Sequence, residues 1–228
     1  MEDIKTNDTD SVIRIHNNQN KTFARRIAKS LTNSNKRALA DILPSRNSTQ
    51  IVHLDNYDKK YLEIGFGMGE HFVNMVKNDP TSLYIGAEVF INGVANVLKQ
   101  LTHENTNYLI WPDDVDLLIE QIPPQSLDGI YILFPDPWHK RRYLKKRLLN
   151  KARLTTFKSK IKNGGFISFA SDIEDYFSNV KYLLQEDEKL KIEDKDHCIP
   201  HAGYIPTKYH LKAIKEGRKP QFITAFLK

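Results

Sequence analysis

Three glycines at alternate positions, Gly65, Gly67 and Gly69, lie between Glu63 and Glu70. Glycine lets a chain turn sharply and lets a ligand approach the backbone, because no Cβ stands in the way. The flanking acids narrow the choice of ligand. A dinucleotide fingerprint needs its third glycine one place later, to pack the helix that holds a pyrophosphate. Here that place is Glu70, whose charge would repel the phosphates. An acidic rim of this kind suits a ligand with a cationic centre, such as a sulfonium beside an α-amino group; an ordinary tight strand-to-helix turn is the plainer reading of the glycines alone. More acids follow. Glu88, after Gly86-Ala87, is placed to accept from both hydroxyls of a ribose. Asp113 and Asp114, after Trp111-Pro112, can accept from an adenine amino group or cap the next helix. Three acids on successive strand ends, beside a glycine loop, are more than helix caps explain.

Asp136 stands between Pro135 and Pro137 and is followed by Trp138. The prolines fix the backbone around the carboxylate and stop the chain from running straight into a helix; the indole can stack on a base. From His139 to Arg153, eight of fifteen residues are Lys or Arg. Leu144, Leu148 and Ala152 recur at helical spacing, which predicts a helix over 144–161 with its cations fanned over the solvent face. Next to the Pro-Asp-Pro-Trp loop, such a surface would track phosphates, with Trp138 and Tyr143 stacking on bases; a merely solvated face is the alternative. Cys198 is the single cysteine, so neither an intrachain disulfide nor a cysteine metal cluster is possible, and it lies outside every motif.

These stretches resemble the bacterial tRNA (guanine-N7-)-methyltransferases from about residue 60 onward. The carriers are Leu62 to Gly69, Gly86-Ala87-Glu88, Phe134 to Lys140, Ala170-Ser171-Asp172 and Thr207-Lys208-Tyr209. The Pro-Asp-Pro-Trp stretch with its basic follow-on is specific to the family, whereas the glycine motif fits any class I methyltransferase. The resemblance implies S-adenosyl-L-methionine as methyl donor, tRNA as partner, a guanine in the variable loop as acceptor, and no metal. It implies that Glu63, Gly65, Gly67, Gly69, Glu88, Asp113 and Asp136 contact the donor and that Asp136 is also catalytic. It places Lys140, Asp172, Thr207, Lys208, Tyr209 and His210 at the tRNA. The family pattern ends Thr-x-Phe/Tyr-Glu, and this chain has His210 in place of the Glu.

The elements that must hold these residues follow from hydrophobic periodicity. Apolar runs at 60–64, 83–88, 107–111, 129–134 and 165–170 alternate with amphipathic stretches at 70–77, 91–101, 115–121, 144–161 and 175–184. This alternation predicts an α/β fold, a mostly parallel sheet with helices on both faces and ligands at the carboxyl ends of the strands. Late strand candidates at 190–193 and 222–227 bring the count to seven, and the resemblance implies a Rossmann-like class I methyltransferase sheet whose last strand is antiparallel. Residues 1–22 read as a flexible polar arm, 23–58 as a basic extension and 59–228 as the catalytic domain. The chain has 228 residues, 40% of them hydrophobic, enough for one core, and a net charge of +6 that suits a polyanionic partner. No apolar run approaches the roughly 18 residues of a membrane span, so a cytoplasmic protein is expected, monomer or homodimer. Two rivals remain, a methyltransferase with another substrate and a noncatalytic RNA-binding protein on the same fold. A nicotinamide dehydrogenase is disfavoured by Glu70.

Overall fold

The structure is a computed structural model and describes residue 26 and residues 30–47, 57–193 and 195–228. The polar arm expected over 1–22 lies outside the described residues. Five strands run parallel: β1 (Lys60–Ile64), β2 (Leu83–Ala87), β3 (Tyr108–Trp111), β4 (Leu127–Leu133) and β5 (Ile161–Ser171). Their sequences are rich in β-branched and aromatic residues, and β2 is buried along its whole length, as a strand covered on both faces must be. The sheet order is β3-β2-β1-β4-β5-β7-β6, with β6 (Leu190–Ile192) and β7 (Gln221–Leu227) supplying its far edge. β7 pairs antiparallel with both β5 and β6, Phe166 opposite Phe226 and Leu190 opposite Leu227. The last strand in the chain is therefore an interior strand of the sheet.

Two cores cover the faces. On one, α3 (Glu70–Asn78) and α4 (Ile91–Gln100) bury Phe72, Val76, Val94 and Leu98 against Tyr84, Tyr108 and Ile110. A short helix α1 (Asn33–Asp41), begun by Thr32 accepting from the Asn35 N–H, and its continuation α2 (Leu43–Arg46) add Leu39 and Leu43 to this layer. On the other face, α5 (Val115–Gln121), α6 (Lys151–Lys160) and α7 (Glu174–Gln185) bury Leu118, Phe157 and Tyr176 against β1, β4 and β5. The strand ends thus stand free for chemistry between two packed layers.

The single helix expected over 144–161 is not formed. Arg141–Lys146 makes a 3-10 turn, and α6 begins only at Lys151, where the Asn150 side chain accepts from the Arg153 N–H. The break is held by Arg147, which is buried at 6% exposure, donates to the Pro137 carbonyl at 2.9 Å and pairs with Asp175. Ala152 is exposed, so the expected apolar seam does not exist. Not all the cations fan outward either, since Arg153 pairs with Asp116 at 2.7 Å. A buried guanidinium needs partners on several sides, and charge periodicity cannot reveal them.

Candidate active site

The glycine loop joins β1 to α3 with φ of 74° at Gly65, 59° at Gly67 and 85° at Gly69, all in the region that favours glycine. Neighbours pin it in place. The Gly65 N–H donates to the Ala87 carbonyl at 2.8 Å, and the Asn96 amide donates to the Met68 carbonyl at 2.8 Å. A Cβ on Gly93, in the first turn of α4, would lie 1.9 Å from the Gly67 oxygen, so helix and loop touch backbone to backbone. Among the described residues, a Cβ on Gly65 would meet nothing within 4 Å, which leaves open ground above this turn.

The acids hold four distinct stations around that ground. Glu88, just past β2, accepts from the Gly67 N–H at 2.6 Å through one oxygen and from the Phe90 N–H at 2.8 Å through the other. Each carboxylate oxygen can accept twice, so capacity for a ligand remains. Burial pushes the Glu88 carboxyl up to about 7; the backbone N–H donors act against the rise and the charge of nearby Asp136 adds to it. Asp113 accepts from the Asp114 N–H at 2.8 Å and pairs with Arg26, while Asp114 is the residue that caps α5. Glu63 is only 5% exposed and lies 2.7 Å from His71 Nδ1. Asp136 is open to solvent, yet the surrounding protein raises its carboxyl above the ordinary value by desolvation. Phe134 and Trp138, on either side of the Pro-Asp-Pro unit, hold φ of 53° and 46°. Bulky residues rarely adopt such angles, and strain of this kind gathers where function fixes the backbone.

The candidate polyanion contacts divide. Lys140 is exposed at the head of the 3-10 turn, where the Lys146 ammonium lies 5.0 Å from the centre of the Trp138 ring and 4.6 Å from that of Tyr143. Thr207 starts α8 (Lys208–Lys215), its hydroxyl accepting from the His210 N–H, and Lys208 is exposed beside it. Tyr209 leans over the glycine loop: its ring carbon is 3.3 Å from where a Gly67 Cβ would stand, and its hydroxyl feels the charges of Asp136, Glu88 and Glu70. His210 turns away into an aromatic nest of Phe134, Tyr204 and Phe222, with Nδ1 2.9 Å from the Tyr204 oxygen. Asp172 accepts from Arg218 Nε at 2.5 Å. The structure therefore gathers Glu88, Asp136, Tyr209 and the glycines into one cluster and ties Asp113, Asp172 and Glu63 to cationic or imidazole partners. Arg26, His71, Tyr204 and Arg218 escaped the sequence reading, because each meets its partner through the fold rather than through local spacing.

The family profile described as "Putative methyltransferase" matches residues 58–222. A "tRNA (guanine-N(7)-)-methyltransferase" of Bartonella henselae is 35% identical over 218 residues, covering 89% of this chain and 93% of the relative. A "Bifunctional methyltransferase" of Rickettsia conorii is 49% identical over 208 residues, 90% of this chain. This chain spans only 40% of that relative's length. Among solved structures, the 16S rRNA methyltransferase KamB superposes with a TM-score of 0.56 at 14% identity, covering 80% of this chain and 94% of the other. A 30S ribosomal A1408 methyltransferase from an uncultured bacterium gives 0.55 at 16% identity, with the same coverage of both chains. At such identities these two establish the fold alone.

Proposed function

The chain belongs to the methyltransferase family that includes the tRNA (guanine-N(7)-)-methyltransferases, and from that premise we propose that it moves a methyl group from S-adenosyl-L-methionine to N7 of a guanine in tRNA, in the variable loop. The observation that supports this reading best is the meeting of Glu88, Asp136 and Tyr209 around a glycine loop with open ground above Gly65. These residues fit the donor. Gly65 and Gly67 let its backbone-facing side lie close. Glu88 accepts from the ribose hydroxyls, Asp113 serves the adenine once Arg26 yields or shares it, and the negative charge nearby favours a sulfonium.

The donor brings an electrophilic methyl group; the chain supplies alignment. Guanine N7 already carries an in-plane lone pair, so no base has to deprotonate it. Bringing the acceptor in line at about 3 Å can by itself lower a barrier by several kcal/mol. Asp136, locked between two prolines, accepts from the guanine N1–H and amino group, and its charge steadies the cation that develops on the purine. Tyr209 closes the site from the α8 side. Lys140 and the exposed cations of the 3-10 turn hold backbone phosphates. Among the described residues no helix is long and apolar enough to cross a membrane.

The deciding experiment incubates the protein with total tRNA and isotope-labelled donor and digests the product for nucleoside mass spectrometry. Label should appear in 7-methylguanosine, and partial nuclease digestion should map it to the variable loop. Label in any other nucleoside, or none, would overturn the proposal.

A further inference from the structure

His71 sits in the first turn of α3, directly after the glycine loop, and is 1% exposed. Its Nδ1 is 2.7 Å from Glu63 Oε2. A carboxylate oxygen only accepts, so Nδ1 carries the hydrogen and the imidazole holds Glu63 in place. The other side of the ring faces a different part of the chain. His201 lies edge to face against it, with ring centres 5.0 Å apart and planes at 87°. Tyr204 is 5.9 Å away, and Tyr131 of β4 touches both imidazoles at 5.1 and 4.8 Å. His201 Nδ1 lies 2.9 Å from the Ala202 carbonyl, which fixes its hydrogen there. Burial first, and then the charge of His71, push the His201 imidazole down to about 4, so at neutral pH it packs as an uncharged ring. Among the described residues, the Nε2 atoms of His71 and His201 are both buried without a hydrogen-bond partner. Buried polar atoms are normally paired, and exceptions in a well-packed fold gather where function overrides stability.

Beyond His201 the contacts continue toward the residues expected to meet tRNA. Tyr204 joins His210 by a 2.9 Å hydrogen bond, and the Thr207 hydroxyl accepts from the His210 N–H. A single side chain thus touches a donor-side acid with one nitrogen and, with the rest of its ring, the segment that leads into the substrate helix.

We infer that His71 is a positioning residue that couples the two halves of the site: its Nδ1 sets Glu63 for the methyl donor, and its ring sets the 201–210 segment for tRNA. The inference rests on the methyltransferase reading above and adds a division of labour within one imidazole. Two substitutions separate the roles. In His71→Asn the side-chain amide can still donate to Glu63, but the ring that packs on His201 and Tyr204 is lost. In His71→Phe the packing ring stays and the donor to Glu63 is lost.

The measurements are the Kd for S-adenosylhomocysteine by calorimetry, the KM for tRNA, and Tm, on wild type and both variants. His71→Asn should keep donor affinity within about threefold while raising the KM for tRNA at least tenfold. His71→Phe should weaken donor binding at least tenfold while changing the tRNA KM less. If both constants move together in each variant, in step with the loss of Tm, His71 is a packing residue and the inference fails. Should His71→Phe not fold, His71→Asn decides alone, and unchanged tRNA KM or equally weakened donor binding would refute it. Wild type measured alongside keeps the two levels apart. A wild type that binds donor but makes no 7-methylguanosine sinks the assigned reaction, whereas a normal wild type with unsplit variants sinks only the coupling.

Discussion

Donor binding should tighten as pH rises from 6 to 8, and Glu88 should be the reason. Glu88 is 8% exposed and its carboxyl sits at about 7, mainly because burial penalises its charge. Two hydroxyl donors from a ribose favour the ionised form, so binding pulls the proton off. The sign follows from linkage. A raised carboxyl stabilises the empty protein fully below its ordinary value near 4.5, and that contribution disappears as pH climbs through 7; the ligand gains over the same window. The ionised fraction rises from about one-tenth at pH 6 to about nine-tenths at pH 8, a change of about tenfold in affinity or about 1.4 kcal/mol. Calorimetry with S-adenosylhomocysteine, in two buffers of different ionisation enthalpy, should report about half a proton released per site at pH 7 from Glu88. The ligand's own α-amino group titrates nearby, so Glu88→Gln is the control: it shares the ligand's titration, binds at least tenfold more weakly at pH 8, and lacks the Glu88 slope. A wild-type-to-variant affinity ratio that stays constant from pH 6 to 8 would refute the reasoning.

Asp136→Asn should leave the far-UV circular dichroism and Tm near wild type and lower turnover at saturating substrates about a hundredfold, or about 2.7 kcal/mol; near-normal turnover would remove it from the chemistry. Neutralising Lys140, Arg141 and Lys145, all exposed, should flatten the dependence of log affinity for tRNA on log salt by about 0.7–0.9 per lost phosphate contact, and an unchanged slope would return this turn to mere solvated charge. Arg147→Ala should behave differently, because that guanidinium is buried between Pro137 and Asp175: its loss should appear in Tm rather than in the salt slope. His210→Ala should cost turnover less than tenfold and lower Tm, since the ring is packed among Phe134, Tyr204 and Phe222; a hundredfold loss of turnover with Tm intact would show that it meets the substrate.

The parallel sheet was legible in the sequence because strands buried on both faces must be nearly continuous apolar runs, and β1 and α5 fall where periodicity puts them. The acids were legible for a related reason: in such a sheet every strand end opens toward the ligand, so Glu88 and Asp113 could be placed by counting to the end of a run. Asp136 stood out through its prolines. The failures share a cause as well. The split at 147–150 depends on a buried arginine whose partners, Pro137 and Asp175, lie 10 and 28 residues away on other elements, and a pattern of leucines every four residues cannot register them. Glu63 belongs by spacing to the acidic rim, yet its partner is a histidine eight residues on, across a loop whose three left-handed glycines fold the chain back on itself. Arg26 reaches Asp113 over 87 positions. Such pairings are set by the tertiary fold, and no local rule announces them.

The position of β7 also bears on how the protein is made. Because this last strand lies between β5 and β6, a nascent chain with residues 221–227 still inside the ribosome has the exposed edge of β5 and a β6 with nothing to pair with. Unpaired edges invite association with other chains. The segment that carries Tyr204, Thr207 and Tyr209 joins β6 to β7 in the chain, and Tyr204 and His210 pack on Phe222 of β7, so its seat is complete only once β7 is in the sheet. Emergence of β7 therefore closes the β5 edge and gives β6 its partner in one step, and chains stalled on ribosomes before residues 221–227 are free should be cut by protease far faster than chains stalled after them.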